Sequence, residues 1–209
     1  FADPAFVLVK DPEKTRVGRL TVKIGAASRV VYVKRYNVFS LRYRIGSLFV
    51  RSAARRPLDG ATILAGAGME SAQPIASVEV RRCGMLQRSF FVSEAIAGAR
   101  TTDAFWRQNL RACEGRAGFR LRRQFLVRLA ALFAALHSRR IYHDDLKDAN
   151  IMAFVGEDGP QFALLDLEGV RRCFRLSERR RIKNLVQLYR TLGRYLSRSQ
   201  KLFLLKVYL

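Results

Sequence analysis

The chain has few of the residues that build disulfide frameworks or structural metal sites. Its 209 residues include three cysteines, and the histidines number two. Cys83, Cys113 and Cys173 are widely spaced and form no CxxC pair. With so few histidines to help, they do not indicate a zinc site. We therefore expect a reducing cytosolic compartment and no structural zinc.

Long apolar runs are also missing. Hydrophobic residues make up 49% of the chain, which is enough for a substantial core, but no run approaches the roughly 20 residues that cross a bilayer. The opening stretch FADPAFVLVKDPEK lacks the charged-then-apolar order of a signal peptide. We expect a protein that is not integral to a membrane.

Acidic residues are scarce beside basic ones. Lys and Arg total 39 against 17 Asp and Glu, which gives a formal net charge of +22. An excess of this size indicates an anionic partner, namely a nucleotide, a nucleic acid or an anionic lipid surface. The net charge alone does not distinguish these three kinds of partner.

The first part of the chain favours strands. Residues 18–36 hold two β-branched runs around a Gly-Ala-Ala-Ser turn, which predicts a hairpin with Lys34 late on its second strand. Residues 75–82 and 89–95 predict two further strands, and residues 61–69 predict a short helix ended by glycine.

The later part favours helices. Residues 119–140 predict a long helix with one apolar stripe, and residues 178–209 predict a helical C-terminal region. Between them, two strand-like segments each adjoin an acid-bearing loop. We therefore predict an α+β fold, with a β-rich N-lobe over residues 1–95 and a mainly helical C-lobe over residues 96–209.

The segment HDDLKDAN at residues 143–150 concentrates acidic and amide side chains in a loop. Phosphoryl transfer needs a carboxylate that accepts the proton of the attacking hydroxyl, and oxygen ligands that hold magnesium against the phosphates. Asp145 and Asn150 can meet both needs. Asp166, after the apolar run FALL, is placed to give a second metal ligand from another loop. Lys34 is the natural choice to neutralise other phosphates.

Three motifs together resemble the protein kinases. HDDLKDAN resembles the catalytic loop HRDLKxxN, LDLEG resembles the magnesium-binding DFG, and VYVK resembles the VAIK strand. More narrowly, the chain resembles the bacterial lipopolysaccharide core kinases, which phosphorylate heptose or Kdo. The strings that carry this resemblance, over most of the chain, are VVYVKRY, ILAGAGM with QPIA, FFVSEAIAGA, IYHDDLKDANIM, FALLDLEGVR and NLVQLYRTL with SQKLFLLKVYL.

This resemblance implies a protein-kinase-like two-lobe fold that uses ATP and Mg²⁺. It implies that Lys34 contacts the α- and β-phosphates, Lys147 touches the γ-phosphate, and Asp145 is the catalytic base. Asn150 and Asp166 would bind the metal. The segment 93–96, with Glu94 and Ile96, would be the hinge whose backbone pairs with adenine.

The chain departs from the kinase pattern before its lysine strand. No GxGxxG precedes Lys34, and the corresponding stretch DPEKTRVG offers Lys14, Thr15 and Arg16 as substitutes for the phosphate-binding glycines. The acidic partner of Lys34 is also open, with Asp59 and Glu70 as candidates. Pro57 stands where the kinase pattern would have a glutamate, and a proline is tolerated there if a helix begins at that point.

Other departures concern the loop and the histidines. Asp144 replaces the arginine of HRD, so we do not expect control by an activation-loop phosphate. For His143 we prefer a structural role, either orienting the loop or filling the core. We interpret His137 as a helix cap rather than a ligand.

The leading hypothesis is thus a kinase of a lipopolysaccharide core sugar, in the cytoplasm and peripheral at the inner face of the bacterial inner membrane. The short stretch after Asp166 and the absence of an APE motif favour a compact sugar kinase. Arginine-rich stretches such as residues 171–183 would meet the phosphorylated glycolipid acceptor or anionic headgroups. A protein or small-molecule kinase of the same fold, a pseudokinase and a nucleic-acid-binding module remain alternatives, although no nucleic-acid motif supports the last.

Overall fold

The computed structural model describes residues 7–10, 15–24, 27–38, 40–49 and 51–209. These residues divide into two compact units. The first contains the described residues up to Thr62 together with Ala72–Ile96, and the second contains Ile63–Ser71 and Ala97–Leu209. The first is mostly antiparallel sheet and the second is mostly helix, so the predicted α+β class is confirmed.

The first unit is built on one sheet. Its strands are β1 (Val7–Lys10), β2 (Thr15–Ile24), β3 (Ala27–Asn37), β4 (Pro74–Arg82) and β5 (Met85–Glu94). They pair antiparallel in the order β1-β2-β3-β5-β4, which makes β3 the central strand.

The predicted hairpin is β2 with β3. The pairing runs from Thr15 opposite Tyr36 to Ile24 opposite Ala27, because both segments are rich in β-branched residues. The strand predicted at residues 89–95 begins earlier, at Met85, since the reversal is confined to Cys83 and Gly84, both with positive φ.

Two helices accompany this sheet. Helix α1 (Leu41–Gly46) was not predicted from the sequence; Ser40 caps it, with its hydroxyl accepting from the Tyr43 amide at 3.1 Å. Helix α2 (Arg56–Ala65) begins before the predicted residue 61, and Pro57 stands in its first turn, where its missing N–H costs little.

The helical unit is organised around one long helix. Helix α3 (Thr102–Phe105) runs into a π-helical turn (Trp106–Leu110), and helix α4 (Gly115–Ser138) follows. The predicted apolar stripe of α4 forms the core: Phe125, Leu126, Leu129, Phe133 and Leu136 are buried, while Leu132 is partly buried.

Short strands and two further helices complete this unit. Strands β6 (Arg100–Thr101), β8 (Ile151–Gly156) and β9 (Gly159–Leu164) form one small sheet, and β7 (Ile141–His143) pairs with β10 (Val170–Arg172) in another. Helix α5 (Glu178–Arg190) leads through a 3₁₀ turn (Leu192–Arg194) to helix α6 (Arg198–Tyr208). Helix α6 packs against α4, and Ser197 and Gln200 form its capping box.

Candidate active site

Two loops of the helical unit meet at the ends of short strands. The loop that contains Asp145 runs from β7 to β8 and includes a 3₁₀ turn at Asp148–Asn150. The loop that contains Asp166 runs from β9 to β10. Because β7 pairs with β10 and β8 pairs with β9, both ends of one loop are tied to both ends of the other.

Hydrogen bonds join the two loops directly. The His143 Nε2 donates to the Leu165 carbonyl at 2.9 Å, and the Leu165 amide donates to the Asn150 carbonyl at 2.9 Å. The Asp144 amide donates to the Gly169 carbonyl at 3.1 Å. The structure therefore brings together the backbone segments that carry the three predicted residues Asp145, Asn150 and Asp166.

Asp145 and Asn150 contact each other. The Asn150 Nδ2 donates to the Asp145 carbonyl at 2.7 Å and to Asp145 Oδ2 at 3.0 Å. The Lys147 Nζ lies 2.6 Å from the same Oδ2, and the Asp145 side chain is 44% exposed. Since the amide nitrogen of Asn150 makes both bonds, its Oδ1 is the atom that could bind a metal.

Asp166 has an unusual backbone. Its φ of 53° and ψ of 53° lie in the left-handed region, which costs a residue with a Cβ about 1 kcal/mol or more. Such strain concentrates at functional sites, and here it occurs at the residue that the sequence predicts as a metal ligand.

Gly169 permits the close approach of the two loops. A Cβ at this position would lie 2.8 Å from the Asp144 Cβ and 3.1 Å from its backbone nitrogen. Because these atoms belong to the root of Asp144, they cannot move away like the end of a flexible side chain. The glycine of the LDLEG motif is therefore required by packing.

The His143 ring orients the loop, in agreement with the structural role expected for it. Nε2 faces a carbonyl acceptor, and Nδ1 accepts from the Asp145 amide at 3.3 Å, so the ring is neutral with its proton on Nε2. Burial lowers the pKa of His143, while the Leu165 hydrogen bond and the nearby carboxylates oppose this shift.

Asp144 reverses the charge that a kinase normally has after the loop histidine. Its carboxylate accepts from Lys183 Nζ at 2.9 Å and from the Tyr142 hydroxyl at 3.2 Å, and Arg171 lies 3.7 Å away. The hydrogen bond from Lys183 is the main reason that the pKa of Asp144 is lowered. An acidic loop residue thus pairs with basic residues on β10 and α5.

Side chains of helix α5 and its C-cap residue hydrogen-bond to the backbone of the catalytic loop, and we call this set of bonds the clamp. The sequence analysis did not predict it. The Asn184 Nδ2 donates to the His143 carbonyl at 2.6 Å, and the Gln187 Nε2 donates to the Asp144 carbonyl at 2.9 Å. The Leu146 amide donates to Gln187 Oε1 at 3.1 Å, and the Asp148 amide donates to Thr191 Oγ1 at 3.3 Å.

The spacing of the polar residues in α5 is a sequence signal that could have indicated this clamp. Asn184, Gln187 and Thr191 recur at a spacing of three and four residues, which places polar groups on one helical stripe with the buried Leu188. A polar stripe at core positions indicates partners that are fixed by tertiary contacts.

His137 extends this polar network away from the loop. Its Nδ1 lies 2.7 Å from the Tyr208 hydroxyl, and its Nε2 lies 3.3 Å from Asn184 Oδ1. The predicted role as a helix cap is wrong, because the C-cap of α4 is Arg139 and the His137 ring is buried. Burial lowers the pKa of His137 as well.

The predicted nucleotide-binding residues lie in the sheet unit. Lys34 is on the central strand β3, opposite Val17 of β2 and Phe91 of β5, with its Nζ 5.3 Å from the Tyr36 ring centroid. Thr15 is the first residue of β2. Lys14 lies outside the described residues.

The predicted hinge follows β5. Glu94 ends this strand; its carboxylate accepts from Arg29 at 3.1 Å, and its amide donates to the Gln73 carbonyl at 2.8 Å. The Ala95 amide donates to the Val30 carbonyl at 2.9 Å, and Ile96 follows as the last residue of this unit.

Of the two acids considered as partners of Lys34, Asp59 forms its ion pair with Arg51 at 3.3 Å. Glu70 is exposed, and its carbonyl accepts from the Leu164 amide at 3.0 Å.

The donor set suits magnesium better than zinc. Within the described ranges, no group of three or more His, Cys, Asp and Glu side chains could hold a metal ion. Magnesium needs fewer protein ligands, because it binds through one or two carboxylates and completes its octahedron with phosphate oxygens and water. The Asp166 carboxylate and the Asn150 amide oxygen fit this requirement.

Three features occur together in this chain: an antiparallel sheet that bears a lysine, an acidic loop that begins with a histidine, and a second acidic loop joined to the first. Together they define a protein-kinase-like phosphotransferase. The sequence matches the Lipopolysaccharide kinase (Kdo/WaaP) family over residues 8–208, so the chain belongs to that family. It is therefore an ATP-dependent kinase that phosphorylates a sugar hydroxyl.

Structural comparison supports the same fold. The chain resembles a solved structure described as "WaaP in complex with acyl carrier protein", with a TM-score of 0.70 and 23% sequence identity. The match covers 97% of this chain and 77% of that chain. No curated protein matches significantly by sequence.

Proposed function

We propose that this protein transfers the γ-phosphoryl group of ATP to a hydroxyl of heptose or Kdo in the lipopolysaccharide inner core. The observation that carries the proposal is the contact between Asp145 and Asn150, within a loop that is hydrogen-bonded to the Asp166 loop. Family membership supports the core sugar as acceptor.

Asp145 is the proposed base. Its contacts with Asn150 and Lys147 both end on Oδ2, so we assign proton acceptance to Oδ1. The acceptor oxygen forms a bond to the γ-phosphorus while the bond to the β–γ bridging oxygen breaks and ADP leaves. The hydroxyl proton passes to Asp145.

Asn150 and Asp166 are the proposed metal ligands. When bound, Mg²⁺ would neutralise charge on the phosphate oxygens. The strained backbone of Asp166 and the hydrogen bonds of Asn150 support this assignment because both residues are held before any ligand arrives.

Cationic groups would neutralise the rest of the phosphate charge. Lys147 is assigned to the γ-phosphate, since its Nζ already lies beside Asp145. Lys34 is assigned to the α- and β-phosphates, with Lys14 and Thr15 in place of a glycine-rich loop. Backbone groups of Glu94 and Ile96 are assigned to adenine.

We also propose a location. The acceptor is a glycolipid, and the excess of basic residues favours an anionic surface. The protein would act in the cytoplasm, peripheral at the inner face of the bacterial inner membrane. No helix in the described part of the chain has both the length and the apolar character needed to cross a membrane.

The test is phosphate transfer from radiolabelled ATP to purified inner-core lipopolysaccharide. We expect Asp145→Ala and Asp166→Ala each to lower kcat by about 100-fold or more, because each removes a group that acts on the transferring phosphoryl. The matched control is Glu157→Gln, which changes an exposed carboxylate in the β8–β9 turn.

Equal rates for the wild type and both alanine variants would rule out this mechanism. Transfer to a protein or to a free sugar, with none to the core, would favour another kinase of this fold. Binding of ATP without transfer to any acceptor would favour a pseudokinase.

A further inference from the structure

Helix α5 exposes an apolar stripe on the side away from the catalytic loop. Ile182, Val186 and Tyr189 are 57%, 38% and 59% exposed, and their spacing of four and three residues places them on one face. Asn184 and Leu188 are buried on the opposite face. The outer face of α5 therefore keeps a large part of its apolar surface exposed.

Arginines flank this stripe. Arg179 precedes Ile182 by three residues and Arg190 follows Val186 by four, so each lies one turn from an exposed apolar residue. Among the residues that the structure describes, no ion pair joins Arg179 or Arg190 to an acidic side chain. Both arginines are exposed, so their charge is available to an anionic partner.

The surface continues onto helix α6. The Lys201 Nζ lies 4.8 Å from the centroid of the Tyr189 ring, which joins the two helices. Leu205 lies one turn after Lys201 and is 42% exposed, and Leu202 is 61% exposed. We name this surface the α5–α6 face; its members are Arg179, Ile182, Val186, Tyr189, Arg190, Lys201, Leu202 and Leu205.

We propose that the α5–α6 face adsorbs to an anionic phospholipid bilayer. Aliphatic and aromatic side chains interspersed with arginine and lysine suit the boundary between headgroups and acyl chains. A nucleic-acid backbone would bind the cations but would leave Ile182, Val186, Leu202 and Leu205 in water. The inference rests on the proposed function in one respect, that the acceptor is a glycolipid.

The same helix links the membrane to the chemistry. The inner face of α5 holds the catalytic loop through Asn184 and Gln187, and the outer face would rest on the headgroups. A helix with its side chains is about 10–12 Å across. Adsorption through α5 would therefore hold Asp145 roughly one helix diameter above the bilayer, within reach of the sugars nearest the lipid.

The experiment is co-sedimentation of the full chain with vesicles of phosphatidylcholine alone or with about 30% phosphatidylglycerol, an anionic fraction that gives a clear surface potential. We expect binding to the anionic vesicles only, weakened by raised salt. Arg179→Glu with Arg190→Glu should weaken binding by about 30-fold or more, because each basic residue near such a surface contributes roughly fivefold.

Three further variants separate charge from apolar contact and from folding. Arg116→Glu with Arg120→Glu makes the same charge change on exposed positions of α4 and should bind within about threefold of the wild type. Ile182→Ser with Val186→Ser should weaken binding about tenfold, whereas Ile182→Leu should not, because only the serines remove apolar burial. Thermal unfolding of each variant identifies any that fail to fold.

Activity on a delipidated core oligosaccharide separates this proposal from the proposed function. The α5–α6 variants should keep wild-type rates on that soluble acceptor and lose rate on vesicle-embedded lipopolysaccharide. Equal vesicle binding by all variants, an equal loss in the α4 control, or binding that ignores phosphatidylglycerol would overturn the proposal. If the wild type has no activity on the soluble acceptor, this result would count against the proposed function but not against the membrane proposal.

Discussion

At the scale of single residues, the catalytic loop depends on atoms that have no chemical role. Gly169 lets the Asp166 loop approach Asp144, and His143 fixes the loop through one ring nitrogen on each side. Asp145 and Asp166 are the residues that sequence patterns identify, because they stand in motifs that resemble those of kinases, and phosphoryl transfer in kinases uses carboxylates. The supporting residues follow from packing.

Gly169 gives a residue-scale prediction. Gly169→Ala should lower the free energy of unfolding by about 1–3 kcal/mol and reduce kcat, because the added methyl group forces the two loops apart. Chemical denaturation and the phosphate-transfer assay measure the two effects. Gly46→Ala is the control, since a Cβ there meets nothing within 4 Å. It should leave kcat unchanged and should not lower the free energy of unfolding, because alanine is the better helix former. An alanine at 169 as stable and active as glycine would contradict the packing argument.

At the scale of elements, α5 is the helix on which the site depends. Asn184 and Gln187 bind three backbone groups of the catalytic loop through their side chains, and Thr191, the C-cap residue of α5, binds a fourth. The sequence predicts a helix there from periodicity. It does not predict the clamp, because the partners lie about forty residues earlier and are brought close only by the fold.

Gln187 provides the element-scale prediction. Gln187→Met keeps the size of the side chain but removes both bonds to the loop, so kcat should fall on the order of tenfold while the KM for ATP changes little. Steady-state kinetics with a soluble acceptor measure this split. Arg179→Gln on the outer face should leave both constants unchanged. A rise in the KM for ATP with constant kcat would show that Gln187 acts on binding rather than on loop position.

Asn184 is predicted to act on stability instead. It is fully buried, and Asn184→Ala would leave the His143 carbonyl without its donor, at a cost of about 1–3 kcal/mol of folding free energy. Urea denaturation measures this cost. Asn109→Ala, in the π-helical turn, is a comparison in which no such bond from the side chain is present in the described structure. Equal stability of the Asn184 variant and the wild type would exclude this role.

At the scale of the whole molecule, acid should destabilise the fold from near neutrality. Burial lowers the pKa of both histidines, so below about pH 6.5 the unfolded chain binds protons that the folded chain does not. The contribution of the two neutral histidines to the free energy of unfolding is therefore fully present above that pH and decreases as the pH falls. Asp144, whose pKa Lys183 lowers, contributes a further loss at pH values near and below 4.

The measurement is the free energy of unfolding between pH 7.5 and 5. The slope of stability against pH in this window should be smaller in His137→Gln than in the wild type, because one proton-linked group is gone. The slope is the relevant readout, since the substitution also changes the absolute stability. Identical slopes in both proteins would contradict the assignment of this pH dependence to His137.

Elements with strong local signals could be predicted from the sequence. The β2–β3 hairpin and helix α4 follow from β-branched runs and from one apolar stripe, which local physics is sufficient to specify. The family could be recognised because Asp145, Asn150 and Asp166 stand in short motifs that this chemistry requires in a fixed order. Helix α1 was not predicted, and α2 begins at Arg56 rather than at residue 61, because short or weak elements depend on their surroundings.

The residues that support the site could not be predicted, because their hydrogen bonds depend on tertiary contacts. Asn184, Gln187, Thr191 and His137 gain their roles from partners that are distant in sequence, so a local pattern such as the polar stripe of α5 does not specify which groups they bind. The physical reason is that a buried polar group must find its hydrogen-bond partner wherever the fold provides one. Helix propensity and periodicity constrain a residue's own element, whereas the catalytic loop is held by a different one.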